Sequence, residues 1–158
     1  MNAAFRSPDI AFIATPEAGV QAFLEFAQVG ADDLVYDLGC GDGRIVIAAA
    51  KQCGAQGVGI DIDPQRIAEA EQASKDAAVY DRVSFRQEDI FACNFSSATV
   101  VFLYLLPHLN ERLLPQLRTQ LKPGARIVSR DFEIGTWAPE AHLFVPGEEA
   151  HTHYRWRI

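Results

Sequence analysis

Val35–Arg44 reads VYDLGCGDGR, an apolar strand running into glycines at 39, 41 and 43, with Asp37 before them and Asp42 among them. Lacking a Cβ, Gly39 and Gly41 permit a tight turn and let backbone approach a flat ligand, while Gly43 lets a helix start close to the strand. Strand, glycine turn and helix in that order put a small-molecule site at the carboxyl end of a parallel sheet. The dinucleotide fingerprint G-x-G-x-x-G requires glycine or alanine at position 44, where this chain has Arg44. It also seats a pyrophosphate over the helix start, where the charges of Asp37 and Asp42 are unwelcome.

Outward from the loop, helices and strands alternate. Thr15-Pro16-Glu17 opens a helix with Thr15 as its cap, Val20, Phe23, Leu24 and Ala27 repeat at helical spacing, and Gly30 closes it. Strands are expected at Leu34–Leu38, Gly57–Ile60, Arg82–Arg86, Ser97–Leu105, Arg126–Ser129, His142–Val145 and Thr152–Ile158. Helices are expected at Arg44–Cys53, from the Asp63-Pro64 cap to Ala77, and at Leu109–Leu121. The fold class that follows is α/β: a doubly wound, mainly parallel seven-stranded Rossmann-like sheet with an antiparallel C-terminal edge pair. Residues 1–158 read as one domain, with 1–30 as an N-terminal segment and helix covering the cofactor crevice.

Each of the first three strands ends near an acid. Two carboxylates at the loop suit a ligand bearing an ammonium and a sulfonium, and S-adenosylmethionine is such a cofactor. Asp61, at the end of the second strand, is placed to accept both hydroxyls of an adenosine ribose. Asp89, after the third strand, is placed to accept from the adenine amino group, with Ile62 or Ile90 against the ring.

VYDLGCGDGR, GIDID (59–63) and QEDI (87–90) resemble three successive motifs of class I S-adenosylmethionine-dependent methyltransferases. DLGCGDGRIVIAAA together with TPEAGV resembles, more narrowly, the small seven-strand lysine methyltransferases. These include mitochondrial enzymes acting on an ATP-synthase subunit and the adenine-nucleotide translocase, and more distantly the non-SET histone-lysine enzymes. YLLPHLNERLLPQLRTQLKPGARIVSRDF is similar to the prokaryotic members. The resemblance implies that Asp37 faces the methionine ammonium, Gly39 and Gly41 the cofactor backbone, Asp61 the ribose and Asp89 the adenine. It implies closure of the segment at Thr15 over the cofactor, and a methyl-acceptor pocket lined by Tyr104. The Asn/Asp-Pro-Pro-Tyr signature of many nucleic-acid and glutamine methylases is absent.

The bulk composition narrows the alternatives. A net charge of -7, with no Lys/Arg run able to neutralise several phosphates, argues against nucleic acid as a partner. Cys40, Cys53 and Cys93 form neither a disulfide framework nor a CxxC pair, so reduced thiols and a cytoplasmic setting are expected. The N-terminus makes a poor signal peptide and no apolar run is long enough for a membrane span. His151 and His153 lack a third ligand, so no metal is expected. Two rival readings stand beside methyl transfer: a non-catalytic cofactor-binding module, and an NAD-dependent oxidoreductase disfavoured by Arg44 and the loop acids. The acceptor is expected to be a protein lysine, another amine or a small molecule, and the chain a monomer or small homo-oligomer. Asp131, Glu133 and His108 are weaker candidates beside the crevice.

Overall fold

The computed structural model describes residues 13–158; the first part of the N-terminal segment lies outside the described residues. The chain order is α1 (Glu17–Phe26), β1 (Leu34–Leu38), α2 (Arg44–Cys53), β2 (Gln56–Asp61), α3 (Pro64–Asp76) and β3 (Val83–Gln87). It continues with β4 (Val100–Leu103), α4 (Pro107–Gln120), β5 (Arg126–Arg130), β6 (Ala141–Val145) and β7 (His151–Arg157).

One seven-stranded sheet has the order β3-β2-β1-β4-β5-β7-β6. The first five strands in that order are parallel, and β7 runs antiparallel between β5 and β6. The order reverses between β1 and β4, whose pairing sets Leu38 opposite Leu103. A doubly wound sheet opens a crevice at that reversal.

Helices α1, α2 and α3 lie side by side along one face, where Phe23, Val46, Ala49, Val35 and Phe102 form a buried cluster. Helix α4 covers the other. Its Leu109, Leu113 and Leu117 recur every fourth residue and pack with Leu103, Ile127 and Trp156. An i, i+4 apolar stripe of this kind buries one helix side.

Three local expectations are corrected. Thr15 does not cap α1: the N-cap is Pro16, without a side-chain bond, and the Thr15 hydroxyl accepts from Arg130 Nη1 (3.2 Å) instead. Gly30 does not close α1 either, because the turn is made at Gln28, with φ 54°; Gly30 N donates to Asp33 Oδ2 (2.8 Å). The fourth strand is shorter than the apolar run 97–105. Thr99 is drawn off to receive Leu34 N on its hydroxyl (2.8 Å), and Tyr104 and Leu105 leave the sheet for the crevice.

Candidate active site

The carboxyl ends of β1, β2, β3 and β4 open into one crevice of about 370 Å³, a size suited to a small cofactor and part of a substrate. Gly39, Gly41 and Gly43 have φ of +93°, +53° and +82°. That left-handed backbone is open to glycine and strained for other residues. A Cβ on Gly43 would also stand 2.8 Å from the Phe85 ring and 3.0 Å from Ala70 Cβ. Glycine therefore lets α2 begin in contact with β3 and α3. The amides of Gly39 and Cys40 both donate to the Ile60 carbonyl, at 2.8 and 2.9 Å, which ties the loop to the end of β2.

Asp61 is held by the same loop. Its Oδ2 accepts from Gly41 N (2.9 Å) and its Oδ1 from Asp63 N (3.0 Å). Each oxygen retains a lone pair, so the carboxylate has room for two further donors, the number a ribose diol offers. Asp37 is only 3% exposed yet borders the crevice. Burial, and then the neighbouring charges of Asp61 and Asp42, push its carboxyl well above the usual range. A cation at this point relieves that penalty; an anion deepens it.

Asp42 behaves differently. Burial opposes its ionisation, but hydrogen bonds from Arg44 and the guanidinium charge outweigh burial and hold its carboxyl below the ordinary value. Arg44 donates to it from Nη2 (2.6 Å) and Nε (3.1 Å), and its Nη1 reaches the Thr15 carbonyl (3.0 Å). Arg44 thus joins the start of α2 to the chain preceding α1. Ile13, Ala14 and Thr15 border the crevice on that side, while Phe102, Tyr104, Leu105 and Leu109 make an apolar wall at the β4 end.

Thr15, Asp37, Gly39, Asp42, Asp61, Ile62, Ile90 and Tyr104, all singled out in the sequence, border this one crevice. Gly41 takes part through the amide that fixes Asp61. Asp89 is not among the residues that border the crevice; its Oδ1 accepts from Phe91 N (2.9 Å) in a local turn, and its neighbours Glu88 and Ile90 both border it. Asp131 adopts φ 64° and accepts from Thr152 N (3.2 Å), a bond that fixes the turn after β5. Glu133 and His108 are exposed. Sequence reasoning missed Arg44, Glu88, Phe102 and the leucines as crevice residues. Arg44 did carry a signal, a cation two positions from a loop acid; the others are brought in by tertiary packing.

Among the described residues, no group of three or more His, Cys, Asp or Glu is placed to hold a metal ion. His151 and His153 instead stack edge to face at 4.9 Å, and His153 Nε2 bonds the Gly19 carbonyl in α1 (3.0 Å). No helix is long and apolar enough to cross a membrane among the described residues. The donor set fits S-adenosylmethionine. Among the residues that border the crevice, Asp37 would answer the ammonium, Asp61 the ribose, the backbone at Gly39 the amino-acid portion, and Ile62 and Ile90 a flat base.

Residues 37–141 match the family model described as the ANTKMT methyltransferase domain. The chain is similar to a protein-lysine N-methyltransferase of Saccharolobus islandicus, 44% identical over 96% of this chain and 95% of that one. It is also similar to the adenine nucleotide translocase lysine N-methyltransferase of Mus musculus, at 33% identity over 68% of this chain and 47% of that one. It thus spans about half the length of that mammalian relative. A solved structure from Salinibacter ruber, described as an RNA methyltransferase in complex with S-adenosyl-L-homocysteine, superposes with a TM-score of 0.87. That protein is 50% identical, over 92% of this chain and 94% of its own.

Proposed function

The chain belongs to the ANTKMT methyltransferase-domain family, and from that premise we propose that this S-adenosylmethionine-dependent methyltransferase modifies the ε-amine of protein lysines. The observation that carries the acceptor reading is the division of the crevice into an acidic part and an apolar wall. Asp37, Asp42, Asp61, Asp63 and Glu88 border it, as do Phe102, Tyr104, Leu105 and Leu109 on and after β4. Bound S-adenosylmethionine supplies the activated methyl group. The residues of the chain bind it at Asp37 and Asp61, exclude water, and align the acceptor along the Tyr104 wall.

An amine attacks only as the free base. The apolar wall disfavours an ammonium by desolvation, so the acceptor nitrogen can lose its proton to solvent without a dedicated base. Phe132, near in sequence to the β5 end, does not border the crevice; its carbonyl accepts from Ser129 Oγ (2.6 Å).

The description of the Salinibacter protein favours a second reading, RNA as the acceptor. Charge weighs against it here. The net charge is -7, and the cations that border the crevice among the described residues are engaged, Arg44 with Asp42 (2.6 Å) and Arg66 with Glu69 (3.0 Å). Polyphosphate finds little to bind at such a rim. We further place the enzyme in the cytoplasm, in keeping with three free cysteines.

The test is methyl-labelled S-adenosylmethionine incubated with the enzyme and an extract of cells lacking it. Label should resist ribonuclease, vanish with protease and appear as methyl-lysine after acid hydrolysis. Label removed by ribonuclease would overturn the lysine assignment in favour of RNA.

A further inference from the structure

Arg130, the last residue of β5, is 6% exposed although it carries a full charge. Its guanidinium carbon lies 4.2 Å from the centroid of the Tyr104 ring, in stacking range. From the same group, Nη1 donates to Thr15 Oγ1 (3.2 Å) and Ala14 O (3.4 Å). The carboxylate of Asp131 approaches Nε only to 3.8 Å, and Nε has no hydrogen-bond partner among the described residues. A cation is costly to bury without a close ion pair. What this one touches is the aromatic of the β4 wall on one side and the segment bordering the cofactor crevice on the other. Lysine has no planar face to stack on the ring, so arginine is the residue suited to both contacts.

We propose that Arg130 is a positioning residue of methyl transfer, coupling the Ala14–Thr15 segment to the Tyr104 ring so that cofactor enclosure and the shape of the acceptor wall change together. The assignment of Tyr104 to the acceptor rests on the proposed function; the coupling itself rests on the two contacts of Arg130. Tyr104 is thereby held in place from behind, and the segment at Thr15 has a second tie besides that from Arg44 to its carbonyl.

The experiment measures S-adenosyl-L-homocysteine affinity by calorimetry and ligand-induced hydrogen-exchange protection of the peptide 13–20. Neither readout needs an acceptor, so the coupling is tested even if the lysine reading fails. Arg130→Met should weaken the ligand about tenfold and abolish the protection. Arg130→Lys, which keeps a donor for Thr15 but no planar group, should restore part of the protection. With a lysine-bearing protein acceptor, Arg130→Lys should raise acceptor KM more than cofactor KM. Thr15→Val, which removes one partner and spares the core, covers the case in which Arg130→Met fails to fold. It should lose part of the protection. Tyr104→Leu should loosen the segment in the native background and add nothing to the Arg130→Lys variant. Full ligand-induced protection in both Thr15→Val and Arg130→Met, or strictly additive effects of the Tyr104 and Arg130 changes, would overturn the proposal.

Discussion

Asp61 and Asp37 do different work with the same carboxylate. Asp61 is partly satisfied by backbone amides and keeps acceptor capacity for hydroxyls. Replacing it with alanine removes charge-assisted bonds worth roughly 1.5–3 kcal/mol, and calorimetry with S-adenosylmethionine should show a tenfold to hundredfold loss. Asp61→Asn retains one acceptor oxygen and should lose less. Asp37 has its carboxyl raised by burial and by its acidic neighbours, so the free enzyme holds a proton there over a range where an ordinary aspartate has none. A bound ammonium favours the ionised form, and binding therefore releases that proton. Cofactor affinity should climb as pH rises from the aspartate pKa of the complex to that of the free enzyme, then level off. The slope should disappear in Asp37→Asn. An equally steep slope in that variant would assign the titration to another group.

At the scale of elements, the junction of α1 with β7 depends on a neutral imidazole. His153 titrates at about 4, below its ordinary 6.5, chiefly because it is buried, with help from the charges of His151 and Arg130. The bond to the Gly19 carbonyl and the charge of Asp131 pull the other way. Between pH 6.5 and 4 the unfolded chain takes up a proton that the folded one refuses, so stability falls as pH drops through this window and flattens below it. The full difference is roughly 3 kcal/mol. Urea titrations at pH 4.5 and 7.5 should show most of that difference in the native protein and much less in His153→Gln, which keeps a donor for Gly19. The strands and helices around this junction were legible because each carries its own period and stop signal. β1 and α2 occupy the residues their patterns mark, and Asp63 caps α3 through Gln65 N (2.9 Å). Where reading failed, a distant partner intervened: the Thr15 hydroxyl accepts from Arg130, and the Thr99 hydroxyl accepts from Leu34 N at the start of β1. The site divides in the same way. Glycines and acids announce themselves at strand ends, whereas Phe102 and Leu109 are ordinary strand and helix residues until the fold brings them to the crevice, and Arg130 until it meets Thr15 and Tyr104.

Charge over the whole molecule bears on the acceptor. With 21 acids against 14 lysines and arginines, the surface attracts a basic protein segment and repels a polyanion. Both effects weaken as salt shortens the Debye length, from about 10 Å at 0.1 M to about 3 Å at 1 M. A basic protein acceptor should therefore show a KM that rises with ionic strength. For RNA the repulsion is screened instead, and KM should fall. The amine chemistry adds a second axis. Only the neutral amine reacts, so the rate at subsaturating acceptor should increase with pH through the neutral and alkaline range, about tenfold per unit while the ammonium predominates. A flat pH profile with a KM that falls as salt is added would point to RNA; a rising profile with a KM that grows with salt is the outcome expected for lysine. The two axes are independent, since one follows from a proton on the substrate and the other from the net charge of the enzyme.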